Sequence, residues 1–303
     1  MKAVIVSYSE LDAYRQCPLK HHLAYKQRWT KTPGPGTPLA RGTLWHLVME
    51  RHYSVLQRLQ RELPGWSIKP SDETYALEVL RKAVRPLFSD PDTGKQSSDQ
   101  ELAEWMYQGY VAQWGVDPQW RILEIERAAI VPLPSDTGRP SSRYRLKVKI
   151  DLIVQDRKAD RWLIDHKSCK NLPNRLELDI DDQFGLYTAA LRQLGWPVTG
   201  AIHSAARTER LKGDQEGTKL MPLDTRFART SMFRSDAELT NLLRDAARTA
   251  REAYSPGPPR SAPNPNTCKW RCDFLDAHLM MRKGIPASTV LPDMGFSVDR
   301  SRH

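Results

Sequence analysis

Between Tyr144 and Leu152 the chain alternates without a break. Tyr144, Leu146, Val148, Ile150 and Leu152 fall on one side, and Arg145, Lys147, Lys149 and Asp151 on the other. A period of two predicts a strand with one apolar and one polar face. Trp162–Lys167 reads as its partner strand, and the polar stretch Arg157-Lys158-Ala159-Asp160 between them predicts a hairpin. Upstream the spacing is helical. It predicts a helix from Ser9 to Gln27, capped by Ser9 and interrupted at Pro18, then helices over Arg41–Leu59, Tyr75–Phe88 and Leu102–Trp114. A strand opens at Arg121 and carries Ile122, Leu123, Ile125 and Ile130. Beyond the hairpin come a helix over Asp181–Leu194, stopped by Gly195 and Pro197, a last short strand over Val198–Ala205, and a helix over Ser235–Tyr254. Proline-rich coil follows, then a turn and short helix over Cys268–Met281. This order predicts an α+β fold with a small mixed sheet among many helices. Its expected parts are a helical region at 1–120, a core at 121–212 and a C-terminal helical region at 213–303, intertwined as one globular unit.

Composition narrows the partner. The 303 residues carry a formal net charge of +10 and 40% hydrophobic residues, enough for a sizeable core. That charge fits a polyanion, and equally a solvated lysine and arginine surface. No stretch approaches membrane-span length, and the apolar start Val4-Ile5-Val6 is too short for a secretory signal, so a cytoplasmic location is expected. In that compartment four cysteines read as thiols or metal ligands rather than disulfides.

The chemistry concentrates on the hairpin. Alternation puts Asp165 and Lys167 on one face of their strand, while Asp151 shares a face with Lys147 and Lys149. Two carboxylates and a lysine on paired strands are what a metal-dependent phosphodiesterase needs. The acids supply hard oxygen ligands for Mg²⁺ or Mn²⁺, and the lysine steadies charge at phosphate. The basic strand face beside Asp151 is a path for a phosphate backbone.

The stretch Val148–Ser168 resembles the second and third motifs of the PD-(D/E)XK nuclease superfamily, in its RecB-like exonuclease branch. Other landmarks stand in the family's order. SYSELDAYRQCPLKHHLAY resembles the opening signature, and RGTLWHLVME the glycine, histidine and glutamate helix at Gly42, His46 and Glu50. ILEIERAAIV resembles the glutamate strand, best placed on Glu126 with Glu124 as competitor. QFGLY resembles the motif at Gln183 and Tyr187. The resemblance implies a restriction-endonuclease-like core and hydrolysis of DNA, most simply by an exonuclease on single-stranded or frayed ends. It implies metal ligation by His46, Asp151, Asp165 and the carbonyl of His166, and charge stabilisation by Lys167. Glu126 would serve as a further ligand or framework residue. Gln183 and Tyr187 would contact DNA or buttress Lys167, and Lys147, Lys149 and Arg207 would contact phosphates. It also implies work in recombination, repair or replication, phage genomes included, with a helicase or recombination protein as a possible partner. No helicase P-loop is present in the sequence. Other readings are a silent DNA-binding scaffold, or a nuclease subunit in CRISPR adaptation or a helicase–nuclease complex. One local departure is Val148, where the family often has glycine.

In iron–sulfur members of this branch, one early and three late cysteines hold a [4Fe–4S] cluster. Here Cys17 is early, Cys268 and Cys272 are late, and His278 stands where the third late cysteine falls. The resemblance implies a Cys₃His iron–sulfur site, with structural Zn²⁺ or no metal as alternatives. Cys169 lies outside the pattern. Tryptophans beside basic residues at Arg28-Trp29, Trp120-Arg121 and Lys269-Trp270-Arg271, and a second basic patch at Arg207, Arg210 and Lys212, are candidate single-strand contacts.

Overall fold

A computed structural model describes residues 3–32, 34–62, 66, 68–210 and 222–300; Lys212 lies outside them. The element order is β1 (Val4–Ser7), α1 (Tyr8–Gln16), α2 (Pro18–His21), β2 (Trp29–Lys31), α3 (Pro38–Glu62), α4 (Pro70–Val84), α5 (Ser98–Trp114), β3 (Arg121–Pro134), β4 (Pro140–Gln155), β5 (Arg161–Cys169), α6 (Arg175–Asp179), α7 (Asp182–Gln193), β6 (Gly200–Arg207), β7 (Phe227–Met232), α8 (Asp236–Ala253), α9 (Pro265–Arg271), α10 (Leu275–Met281), α11 (Ala287–Asp293) and β8 (Phe296–Val298). The expected helices and hairpin are all present. Val198–Ala205 does not hold the last strand, because β6 is followed by β7 and β8. Ser7, not Ser9, caps α1 by accepting from the Glu10 amide. No described helix is long and apolar enough to cross a membrane.

The chain forms two compact units, Met1–Pro33 with Ile130–Val148 and Thr240–His303, and Gly34–Ala129 with Lys149–Leu239. In the first, β1 runs parallel to the start of β4, with Val4 opposite Tyr144, and β2 pairs antiparallel with β8. A small core of Leu23, Phe274, Ala277, Val290, Leu291 and Phe296 backs the C-terminal helices.

The second unit holds the larger core and the hairpin. The end of β4 pairs antiparallel with β5, β5 parallel with β6, and β6 antiparallel with β7. Asp156 shapes the hairpin turn. Its carboxylate accepts the amides of Lys158 and Asp160 and the Trp162 indole N–H, while Ala159 turns with a left-handed φ of 68°. α3 packs on β5 and buries Trp45, Val48, Met49, Tyr53 and Leu56.

His52, also on α3, is wholly buried, with Nδ1 3.1 Å from the Tyr107 hydroxyl and Nε2 without a partner. Burial pulls its pKa down to about 4. Between the unfolded value of about 6.5 and the folded one, the unfolded chain takes up a proton that the folded state refuses. Stability therefore falls as pH drops through that window, by about 3 kcal/mol from this residue. His52→Leu is expected to flatten the decline, read as urea midpoints at neutral pH and near pH 4.

Candidate active site

Glycine and register bring α3 to the hairpin. A Cβ on Gly42 would meet Ser168 Oγ at 3.7 Å, so the first turns of α3 lie close against the end of β5. One turn on, His46 faces Asp151, with Nδ1 3.1 Å from Oδ2. The same carboxylate oxygen accepts the backbone N–H of His166 at 2.8 Å, which fixes Asp151 across the hairpin. Burial opposes the charge on both partners. Even so, their hydrogen bond and mutual attraction raise the His46 pKa and hold Asp151 below the usual carboxylate value.

Asp165 and Lys167 meet as alternation requires, with Nζ 2.8 Å from Oδ2. Gln183, at the start of α7, donates its amide N–H to Asp165 Oδ1 at 3.0 Å. Burial pushes the Asp165 carboxyl up to about 6; Lys167 opposes the shift and the charge of Asp151 adds to it. Burial also raises the Tyr187 phenol to about 12, with Gln183, one helical turn away, acting against the shift.

Glu126 arrives by a backbone device. Its φ of 51° lies in the left-handed region, which is rare for a non-glycine residue and rarer inside a strand. The burial phase of β3 changes across it, with Ile122 buried before and Val131 and Leu133 after, as one inserted residue would produce. Glu126 consequently turns its carboxylate to Lys149, with which it forms a close ion pair, while Glu124 pairs with Arg127 at 3.3 Å. His46, Glu126 and Asp151 each bring one ligand atom to within 4.8 Å of the others. Two hard oxygens and one imidazole fit a divalent ion. The carboxylates suit Mg²⁺ or Mn²⁺, and the nitrogen favours the transition metal of the two. Asp165 lies outside this triplet, its oxygens engaged by Gln183 and Lys167.

A second layer stands behind His166 and was not apparent in the sequence. Both ring nitrogens of His166 are buried without partners, and burial drives its pKa down to about 3. The ring stacks on Tyr53 at 5.3 Å and meets the edge of Tyr110 at 6.2 Å. The Tyr53 hydroxyl donates to Asp117 Oδ2 at 2.7 Å, and Arg229 donates to both Asp117 oxygens at 2.5 and 3.0 Å and to the Tyr110 oxygen at 2.8 Å. The guanidinium lies 4.0 Å from the ring centre of Trp114 and 4.2 Å from that of Trp120. Trp120 is thus a core aromatic rather than a base platform. Nothing in the spacing of these residues marks them; only Arg229, within a weakly patterned run, could have hinted at a buried cation.

The other candidates are placed differently. Arg207 is tied to Asn171 at 3.3 Å and to Glu209 at 3.8 Å. Lys147 is exposed, in the other unit from the acidic cluster. In that unit the Cys17 sulfur accepts the Ala262 amide at 3.4 Å and the Cys268 sulfur accepts the Asn264 amide at 3.3 Å. Cys272 is raised by burial and feels both Cys268 and Cys17. These sulfurs form no tight ligand group among the described residues, and all four cysteines are free thiols. Cys169 is raised to about 11 by burial. Trp270 is 77% exposed, with the Lys269 ammonium 5.1 Å from its ring.

A family model for the PD-(D/E)XK nuclease superfamily matches residues 5–277. No curated protein matches by sequence. Among solved structures, a candidate exonuclease from Eubacterium rectale is 12% identical over 89% of this chain and 86% of its own, with a TM-score of 0.46. A protein named SSO0001 is 14% identical over 77% and 92%, with a TM-score of 0.32.

Proposed function

Since the chain belongs to the PD-(D/E)XK nuclease superfamily, with its α+β restriction-endonuclease-like fold, we propose that it is a divalent-metal-dependent deoxyribonuclease, and specifically an exonuclease on single-stranded or frayed DNA ends. The observation that carries this is the convergence of His46, Glu126 and Asp151 beside the Asp165–Lys167 pair.

His46, Glu126 and Asp151 would hold Mg²⁺ or Mn²⁺, with Asp165 and the His166 carbonyl on the adjoining strand as further oxygens. Such an ion, when bound, polarises the phosphate and makes water a better nucleophile at neutral pH. The chain's own residues supply the rest. Lys167 places a positive charge at the phosphate, where negative charge grows during in-line attack. Asp165 holds that ammonium in position. Gln183 orients Asp165, and Tyr187, kept protonated by burial, offers a hydroxyl to the same region. Water would attack the phosphorus in line with the 3′-oxygen; the new P–O bond replaces the P–O3′ bond, leaving a 5′-phosphate on one product and a 3′-hydroxyl on the other. Lys149, two residues before Asp151, and independently Lys147 would contact backbone phosphates.

The cysteines at the two ends of the chain we read as a structural site. Cys17, Cys268 and Cys272 with His278 would bind a [4Fe–4S] cluster, or Zn²⁺ in its place, closing a long loop rather than taking part in hydrolysis. Anaerobically purified protein is expected to show broad visible charge-transfer absorption; a colourless protein containing zinc would select the alternative. The biological setting that fits is recombination, repair or replication, with any helicase motor supplied by a partner.

The exonuclease reading makes a direct prediction. With Mn²⁺ or Mg²⁺ present, linear single-stranded DNA is expected to be degraded to short products while a covalently closed single-stranded circle survives. Nicking of the circle at a comparable rate would mark an endonuclease.

A further inference from the structure

At the far end of α3 lies a cavity of about 500 Å³, lined by Gln57, Gln60, Arg61, Trp66 and the start of β3 at Arg121–Leu123. Its floor is built, not incidental. Gln60, nearly buried, donates to the Trp120 carbonyl at 2.6 Å and accepts the Ile122 amide at 2.9 Å, and Gln57 donates to the Leu123 carbonyl at 2.9 Å. These bonds lock the last turns of the helix to the strand. Over this floor stand two arginines. Among the described residues, neither Arg61 nor Arg121 has a carboxylate partner, although Arg41, Arg127, Arg175, Arg192 and Arg229 all have one. Two uncompensated guanidinium groups attract an anion, yet the space exceeds what one phosphate fills. An aromatic wall at Trp66 supplies a face for a planar ring.

The position of the cavity gives it meaning. Gln57 follows His46 by eleven residues on α3, a rise of about 16 Å. Ile122 precedes Glu126 by four residues on β3, a span of about 13 Å. The two elements that carry His46 and Glu126 therefore both run on to this cavity. We propose that it holds a nucleotide of a single DNA strand, its phosphate between Arg61 and Arg121 and its base against Trp66, a few nucleotides from the phosphate being cut. The cavity would then make the enzyme sensitive to strand length. This inference rests on the nuclease reading for its register, not for the binding itself.

The test is equilibrium binding of fluorescein-labelled oligothymidylates of increasing length, without metal, to the full chain carrying Lys167→Ala and to the same chain with Arg61→Ala and Arg121→Ala added. In the Lys167→Ala chain, affinity is expected to step up once the strand reaches from the acidic cluster to the cavity. The added substitutions should remove that step, weakening binding of the longer strands about tenfold or more while leaving the shortest unchanged. Trp66→Ala should remove part of the same step. Circular dichroism establishes that each variant is folded; for any that is not, Arg61→Gln with Arg121→Gln keeps the polarity. Identical length dependence in all folded variants would overturn the proposal. A length step in a protein whose native form cuts no DNA under any metal would retain the cavity and discard the nuclease reading; cleavage without a length step would do the reverse.

Discussion

Lys167→Ala is expected to lower metal-dependent cleavage of DNA by about 10²–10³-fold or more, with affinity for DNA nearly unchanged. The side chain is two-thirds buried, and its ammonium is held 2.8 Å from Asp165 in a low-dielectric corner, so it is aimed before substrate arrives. A charge fixed in advance costs no reorganisation as the phosphate gains negative charge, which is why its removal acts on the chemical step rather than on binding. Asp165→Ala should fail as severely for a related reason. It frees Lys167 to swing toward solvent and leaves the Gln183 amide without its acceptor. Single-turnover rates at saturating protein separate these effects from weaker binding. A variant at either position that keeps full metal-dependent activity would sink the assignment.

Asp117→Ala is expected to destabilise the fold by about 3–5 kcal/mol, because it strands a buried arginine. Asp117 is fully buried and the Arg229 side chain is 7% exposed, so the lone guanidinium could not recover water without opening the core. The thermal midpoint should fall by about 10 °C. Activity should fall with it wherever the protein remains folded, since Tyr53 and Tyr110, which Arg229 and Asp117 hold, pack against His166 between the two functional residues of β5. Replacing the pair together, Asp117→Leu with Arg229→Met, should restore much of the stability. If Asp117→Ala melts like the native chain, the ion pair is not the anchor that its burial implies.

Much of the centre was legible because strand alternation is a strict rule. Once Leu146, Val148, Ile150 and Leu152 are assigned to the core, Asp151 must face the other way, and Asp165 and Lys167 must share a face. The helix carrying His46 was equally readable, from apolar spacing at Leu44, Val48 and Leu56. Glu126 is the instructive case. Its family position was assigned by resemblance, yet simple alternation along β3 cannot say which way it points, because its own left-handed backbone changes the phase. β1 was missed since four residues are too few to display a period. β7 was missed because Phe227-Ala-Arg-Thr-Ser-Met turns the Arg229 side chain, 7% exposed, inward where pattern reading expects a surface residue. The network behind His166 joins Tyr53, Tyr110, Asp117 and Arg229 through bonds between residues 57 to 176 positions apart, and local sequence carries no trace of such pairings. The cysteines were visible as a pattern, but whether they hold metal depends on chemistry that spacing leaves open.

The acidic cluster and Lys167 are proposed to cut DNA together with a divalent ion. The most direct measurement is cleavage of end-labelled single-stranded DNA by the native chain and by Lys167→Ala, purified in parallel, with Mn²⁺, with Mg²⁺ and with excess chelator. Degradation is expected from the native chain with metal alone, none with chelator, and at most a trace from the variant. Cleavage that survives chelation, or that is equal in both proteins, would contradict it.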